Sequence, residues 1–148
     1  MAIKNYTSEV TVNKSVQHIE DRLVKIGAFN ILKEYSESEL SGICFIIKTN
    51  NKEIPFKLPS KVKNVENYLA SKVKKRRSGT LNKIKSQAAR TAWKLLSDWV
   101  DIQVSLIELD QAEPLEVFLP YAYDYQKKQT FFDRIKLDNF QLLEHKDK

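Results

Sequence analysis

The sequence predicts an α+β fold: a small antiparallel sheet in the order β-α-β-β-β, then a basic helix, one long amphipathic helix and an aromatic-rich C-terminal tail. Three observations predict it. Ile43, Phe45 and Ile47 alternate with their neighbours, as do Ile54, Phe56 and Leu58, and Asn50-Asn51 lies between the two runs, which is the pattern of a hairpin. From Ile84 to Leu109 apolar residues step by fours and threes, the period of a buried helix face. Phe118, Tyr121, Tyr123, Tyr125, Phe131, Phe132 and Phe140 crowd the last quarter of the chain. A length of 148 residues suits one domain, read as a sheet-plus-helix half (1–59), a helical half with the basic segment (60–110) and a packing tail (111–148).

Each element has its own signal. Tyr6 to Val10 alternates weakly and is expected to be a short strand. Asn13 is a good N-cap for a helix reaching Ile26, on which Val16, Ile19 and Leu23 make one stripe and after which Gly27 is the expected stop. Phe29 to Tyr35 is rich in strand formers and leads into a polar turn ending at Gly42. Pro55 offers no ladder N–H, so the last hairpin strand is expected at an edge. Pro59-Ser60 opens a helix with a thin stripe, Val62, Val65, Leu69 and Val73, broken by Ser78-Gly79-Thr80.

The long helix, about Leu81 to Leu109, carries a second stripe through Ala89, Trp93, Leu96, Val100, Val104 and Ile107, so its apolar face is wide. Sheet and tail together do not obviously cover such a face, and a homodimer through this helix is expected. Pro114 and Pro120 bracket an apparently extended stretch, and Thr130 with Asp133 forms a capping box for a short final helix.

Bulk properties exclude several classes. With 42% hydrophobic and 30% charged residues the chain should fold rather than stay disordered. No apolar run approaches the roughly 20 residues of a membrane span, and the start, Met1-Ala2-Ile3-Lys4, lacks a signal-peptide layout, so a cytoplasmic protein without membrane contact is expected. The single cysteine, Cys44, forms no internal disulfide and is read as packing. Three glycines in the whole chain leave no phosphate-binding glycine loop, and neither His18 nor His145 has a visible catalytic partner. The protein is therefore expected to be no enzyme, with no cofactor and no metal. Asp98, Asp101 and Glu108 on one helical face are read as a solvated surface.

Charge is the strongest functional signal. From Lys61 to Lys94 eleven basic residues stand against Glu66 alone, a local charge of +10 in a chain of net +6, so the remainder carries −4. Such segregation attracts a polyanion even where the rest of the molecule repels it. The candidate phosphate contacts are Lys72, Lys74, Lys75, Arg76, Arg77, Lys83, Lys85, Arg90 and Lys94. On the long helix the cations occupy the N-terminal half and the carboxylates the C-terminal half, against the helix dipole, which points to an external anion. Tyr121, Tyr123 and Tyr125 are candidates for base stacking, though the aromatic tail as a whole reads first as cover for the long helix.

Gln87-Ala88-Ala89-Arg90-Thr91-Ala92-Trp93, Asp98-Trp99-Val100, Val117-Phe118-Leu119-Pro120-Tyr121 and Phe131-Phe132-Asp133-Arg134, with the opening Ala2-Ile3-Lys4-Asn5-Tyr6-Thr7, resemble a family of small proteins encoded by bacteriophages and prophages. The resemblance supplies no catalytic residue. It implies a context, the cytoplasm of an infected bacterium, where small proteins serve replication and recombination or blunt host immunity. The expected function is a non-catalytic nucleic-acid-binding protein. The rival is an anti-defence factor that binds a host immune protein or sequesters a phosphorylated signalling nucleotide.

Overall fold

The structure, a computed structural model, describes residues 2–147 and has the expected α+β architecture. Helix α1 (Val12–Lys25) precedes three strands, β1 (Phe29–Ser36), β2 (Glu39–Thr49) and β3 (Lys52–Pro59), which pair antiparallel in the order β1-β2-β3. Helices α2 (Val62–Ser71) and α3 (Thr80–Glu108) follow. The chain then forms α4 (Pro114–Phe118), a 3-10 turn (Leu119–Tyr121), a small hairpin of β4 (Tyr123–Asp124) and β5 (Gln129–Thr130), and α5 (Phe131–Leu137). Among the described residues no helix is long and apolar enough to cross a membrane.

Local chemistry accounts for the joints. Both strand connections are two-residue turns with positive φ at each central residue, Glu37 and Ser38 in the first and Asn50 and Asn51 in the second, the twist that suits a tight hairpin. Gly42, read from sequence as the end of a turn, lies inside β2 opposite Pro59, where a Cβ would sit 2.9 Å from the carbonyl oxygen of Leu58. Only glycine tolerates that approach. The cap of α1 is Thr11 rather than Asn13: its hydroxyl accepts the Lys14 N–H at 3.2 Å. At the other end Gly27, with φ 92°, donates to Val24 and Ala28 donates to Leu23, satisfying the last carbonyls.

One core unites the three sequence regions. Strand alternation puts Ile43, Phe45 and Ile47 on the same face as Phe56 and Leu58. There they meet Val16, Ile19 and Leu23 of α1 and Trp93, Val100 and Val104 of α3. Phe118 of α4 closes the cluster, its ring centroid 5.4 Å from that of Phe45. As Pro55 predicts, β3 is an edge strand, and Ala122 bridges to Phe56 so that the tail covers part of that edge.

Three expectations are corrected. Tyr6 to Val10 is not a strand: Lys4–Thr7 is a turn and the segment runs on α3, so the order is α-β-β-β. The basic run is not helical: α2 ends at Ser71, Lys72 is its C-cap, and Lys74 to Arg77 lie in the connection to α3. Like charges at helical spacing repel, and Val73 is the only apolar residue there to repay burial. Leu115 to Leu119 is not extended. Pro114 sits in the first turn of α4, where its fixed φ suits a helix, and Glu113 and Glu116 form a capping box.

Candidate functional site

The connection between α2 and α3 carries Lys72, Lys74, Lys75, Arg76 and Arg77, all exposed. Among the described residues none of them, nor Lys83 in the first turn of α3, forms an ion pair; the nearby pairs belong to Lys63, Lys85 and Lys94. Lys72 places its ammonium 5.3 Å from the Tyr68 ring centre, a contact that leaves its charge intact. Arg77 and Thr80 close the loop reciprocally: the Arg77 N–H donates to Thr80 Oγ1 at 2.8 Å and the Thr80 N–H to the Arg77 carbonyl at 3.1 Å. Gly79 caps α3 without a side-chain hydrogen bond, and no acid stands in the first turn. The positive end of a 29-residue helix therefore adds to the loop's field.

The other three predicted cations are employed inside the protein. Lys85 pairs with Glu39 at 2.8 Å on the surface, and that bond raises its pKa. Arg90 donates from Nε to the Ser8 carbonyl at 3.2 Å and from Nη2 to Gln87 at 2.7 Å. Lys94 lies 2.6 Å from Asp98, which also accepts from Asn5 at 2.9 Å. Burial alone would raise the Asp98 pKa, but the hydrogen bonds from Lys94 and Asn5 and the charges of Lys94 and Lys4 outweigh it and hold the carboxyl below its ordinary value.

Arg90 and Asp98 belong to a strap that sequence reading missed. Thr91, fully buried, donates to the Asn5 carbonyl at 2.8 Å and accepts from Gln87, which also donates to the Ser8 carbonyl at 3.0 Å. Residues 5–8 are thus bonded to side chains of α3 instead of to a strand. The available signal was Gln87 and Thr91, polar residues one turn apart beside apolar stripes.

The acidic half of α3 is answered by α1. Arg22 Nε lies 2.9 Å and His18 Nε2 3.3 Å from Asp101 Oδ1, and Lys25 lies 3.8 Å from Glu108. The carboxylates of the reversed gradient, Asp98, Asp101 and Glu108, are thereby answered within the chain, so the acidic half of α3 needs no external ligand to explain it. Among the described residues no group of three potential ligands is placed to hold a metal ion.

The three tyrosines have different roles. Tyr125, half-exposed, interacts with Cys44; burial pushes the thiol up, and burial with the Cys44 interaction pushes the phenol up to about 12. Tyr123 lies beneath the Lys57 ammonium, 5.0 Å from its ring centre, and Tyr121 packs edge-on against Trp99 with centroids 5.8 Å apart. Tyr121 and Tyr123 line an open cleft with Lys57, Lys61, Lys128 and Phe132, none of which the sequence singled out as a ligand contact. Loop and cleft lie at opposite ends of α2. Lys61 caps the start of α2 and Lys72 its end, roughly 16 Å apart along the axis at 1.5 Å per residue.

No protein-family model, curated protein or solved structure matches this chain, so the functional argument rests on its own residues.

Proposed function

We propose that the chain is a non-catalytic nucleic-acid-binding protein that contacts phosphates through Lys72, Lys74, Lys75, Arg76, Arg77 and Lys83. The observation that carries this reading is the absence of ion pairs on these six side chains among the described residues, five on the exposed connection and Lys83 in the first turn of α3, whose Gly79 cap brings no side-chain hydrogen bond. Cations without internal partners are those that gain most by releasing counterions from a phosphate backbone. Lys85, held by a surface pair of small net worth, stands at the margin of this site. Phosphate contacts position a protein without reading bases, so binding tolerates sequence changes.

We infer a role in replication, recombination or host takeover in an infected cell, the context that the resemblance to phage proteins implies. The rival, an anti-defence factor gripping a host protein or a small nucleotide with the same cations, is less favoured because the loop is exposed rather than enclosing. The test is fluorescence anisotropy with short single- and double-stranded DNA and RNA over a salt series. Six contacts on a duplex predict a log–log salt slope near −5, about −0.9 for each phosphate. Reversing Lys74, Lys75, Arg76 and Arg77 to Glu is expected to weaken binding by at least about a hundredfold, with the circular dichroism spectrum unchanged. Unaltered affinity in that variant rejects the proposal.

A further inference from the structure

At the end of α2 away from the basic loop, β3, the start of α2 and the C-terminal segment surround an open cleft of about 470 Å³. That volume lies within the roughly 300–1,000 Å³ of small-molecule sites. Three lysines and one carboxylate line it. The carboxylate, Asp133, accepts the Thr130 N–H at 2.9 Å, and this backbone bond, with smaller contributions from the Thr130 hydroxyl and the charges of Lys136 and Lys61, holds its carboxyl below the ordinary value. Lys57 is also committed, 2.7 Å from Glu34 and over the Tyr123 ring, and the Glu34 bond raises its pKa.

Lys61 and Lys128 differ. Both are exposed, and neither forms an ion pair among the described residues. Beside them stand two rings: Tyr121, packed edge-on against Trp99, and Phe132, 51% exposed, with its ring centroid 6.2 Å from that of Phe140. Tyr121 and Lys61 continue into an adjoining groove that Asn64 and Leu95 also line. Unpaired cations next to ring faces are the two features that hold a nucleotide, charge for its phosphate and stacking for its base.

We propose that this cleft binds one nucleotide, its base against Phe132 and Tyr121 and its phosphate between Lys61 and Lys128. The site shares no residue with the basic loop and stands without it. The nucleotide is either free or one unit of a bound strand, and base plus phosphate is the chemistry common to both.

The test titrates the full chain with AMP, GMP, CMP and UMP, with inorganic phosphate, and with a single-stranded oligonucleotide, followed by calorimetry. At least one mononucleotide is expected to bind at least tenfold more tightly than inorganic phosphate. Lys61→Glu with Lys128→Glu should abolish that binding. Phe132→Ala should weaken it roughly tenfold, the size of one lost stack. All three positions are exposed, so the fold should persist. The loop reversal at Lys74 to Arg77 should leave mononucleotide binding unchanged, which separates this site from the loop. Tighter binding of the mononucleotide than of the oligonucleotide assigns a free ligand, and the opposite order, with Phe132→Ala weakening the oligonucleotide, assigns a strand. Phosphate binding as tightly as every mononucleotide, or no mononucleotide binding at millimolar concentration, overturns the proposal.

Discussion

Lys74, Lys75, Arg76 and Arg77 on the α2–α3 connection and Arg90 and Lys94 in the middle of α3 belong to one basic stretch of sequence, but their surroundings differ in kind. The loop side chains are exposed and unpaired among the described residues. Arg90 bonds the Ser8 carbonyl and Gln87, and Lys94 bonds Asp98. The difference teaches that a positive charge offers itself to a ligand only when the fold has given it nothing else to do. Charge density along a sequence counts both kinds together. Their partners separate them, local for Lys94 and Asp98 and distant for Arg90 and the Ser8 carbonyl.

The comparison is tested most severely by changing each group alone. Loop reversal is expected to lose at least about a hundredfold in affinity, or about 2.7 kcal/mol of binding, with stability unaltered. Arg90→Ala should do the reverse, losing about 1 kcal/mol of stability for each hydrogen bond removed while affinity holds. Urea denaturation and anisotropy on the same preparations measure both. A large loss of affinity in Arg90→Ala would erase the distinction.

Thr91→Val sharpens the same comparison without touching any charge. The substitution keeps the shape of a fully buried side chain and removes two hydrogen bonds, leaving the Asn5 carbonyl with the Ser8 N–H alone and the Gln87 amide with the Ser8 carbonyl alone. A cost of about 1–3 kcal/mol is expected, with nucleic-acid affinity unchanged. Proteolysis near residues 5–8 should accelerate, because the strap holds that segment.

Acid should loosen the strap before it affects the loop. The folded-state pKa of Asp98 lies below the ordinary 3.8, so its stabilising contribution is complete above that value and is lost as pH falls through the folded-state pKa. Asp98→Asn should be less stable than the parent at neutral pH and should lose less on going from pH 5 to pH 2. Equal slopes for the two proteins would show that Lys94 and Asn5 do not favour the charged form.

How far the sequence reveals these features depends on the range of the interactions. The apolar stripes of α1 and α3 and the hairpin of β2 and β3 were legible because burial imposes a local period, and Thr130-Asp133 was legible because a capping box spans three residues. The strap was not, since Thr91 and Asn5 are 86 positions apart and carbonyls leave no mark in a sequence. Helix α4 was missed because Pro114 and Pro120 were both read as breakers, although a proline in the first helical turn is an initiator. For the candidate sites the basic run was visible as composition, but the partners of Lys85 and Arg90 lie on distant segments. The cleft was illegible for the same reason: Lys57 and Lys61 come from β3 and the start of α2, Lys128 and Phe132 from the tail.

Unclaimed groups on α3 need not be charged, and the apolar ones bear on self-association. The wide face of this helix suggested a dimer because sheet and tail offered too little cover. In the fold, α1 and α2 pack along α3 as well, and Phe118 and Tyr121 take the edges of Trp99. Trp93, Val100 and Val104 of the second stripe are fully buried, and what remains open is chiefly Ile102 at 59% and Leu109 at 67% on the first. Even with Leu81, 58% exposed in the first turn, three scattered aliphatic side chains fall well short of the roughly 800 Å² per partner that a stable interface buries. The smallest effect is therefore expected here: a single species at the 17.3 kDa chain mass in sedimentation at micromolar concentration, unchanged by Ile102→Lys, with nucleic-acid affinity also unchanged. A dimer that Ile102→Lys dissociates would overturn this expectation. It would also bring two basic loops onto one ligand, so that the free cations of the comparison would act as a pair.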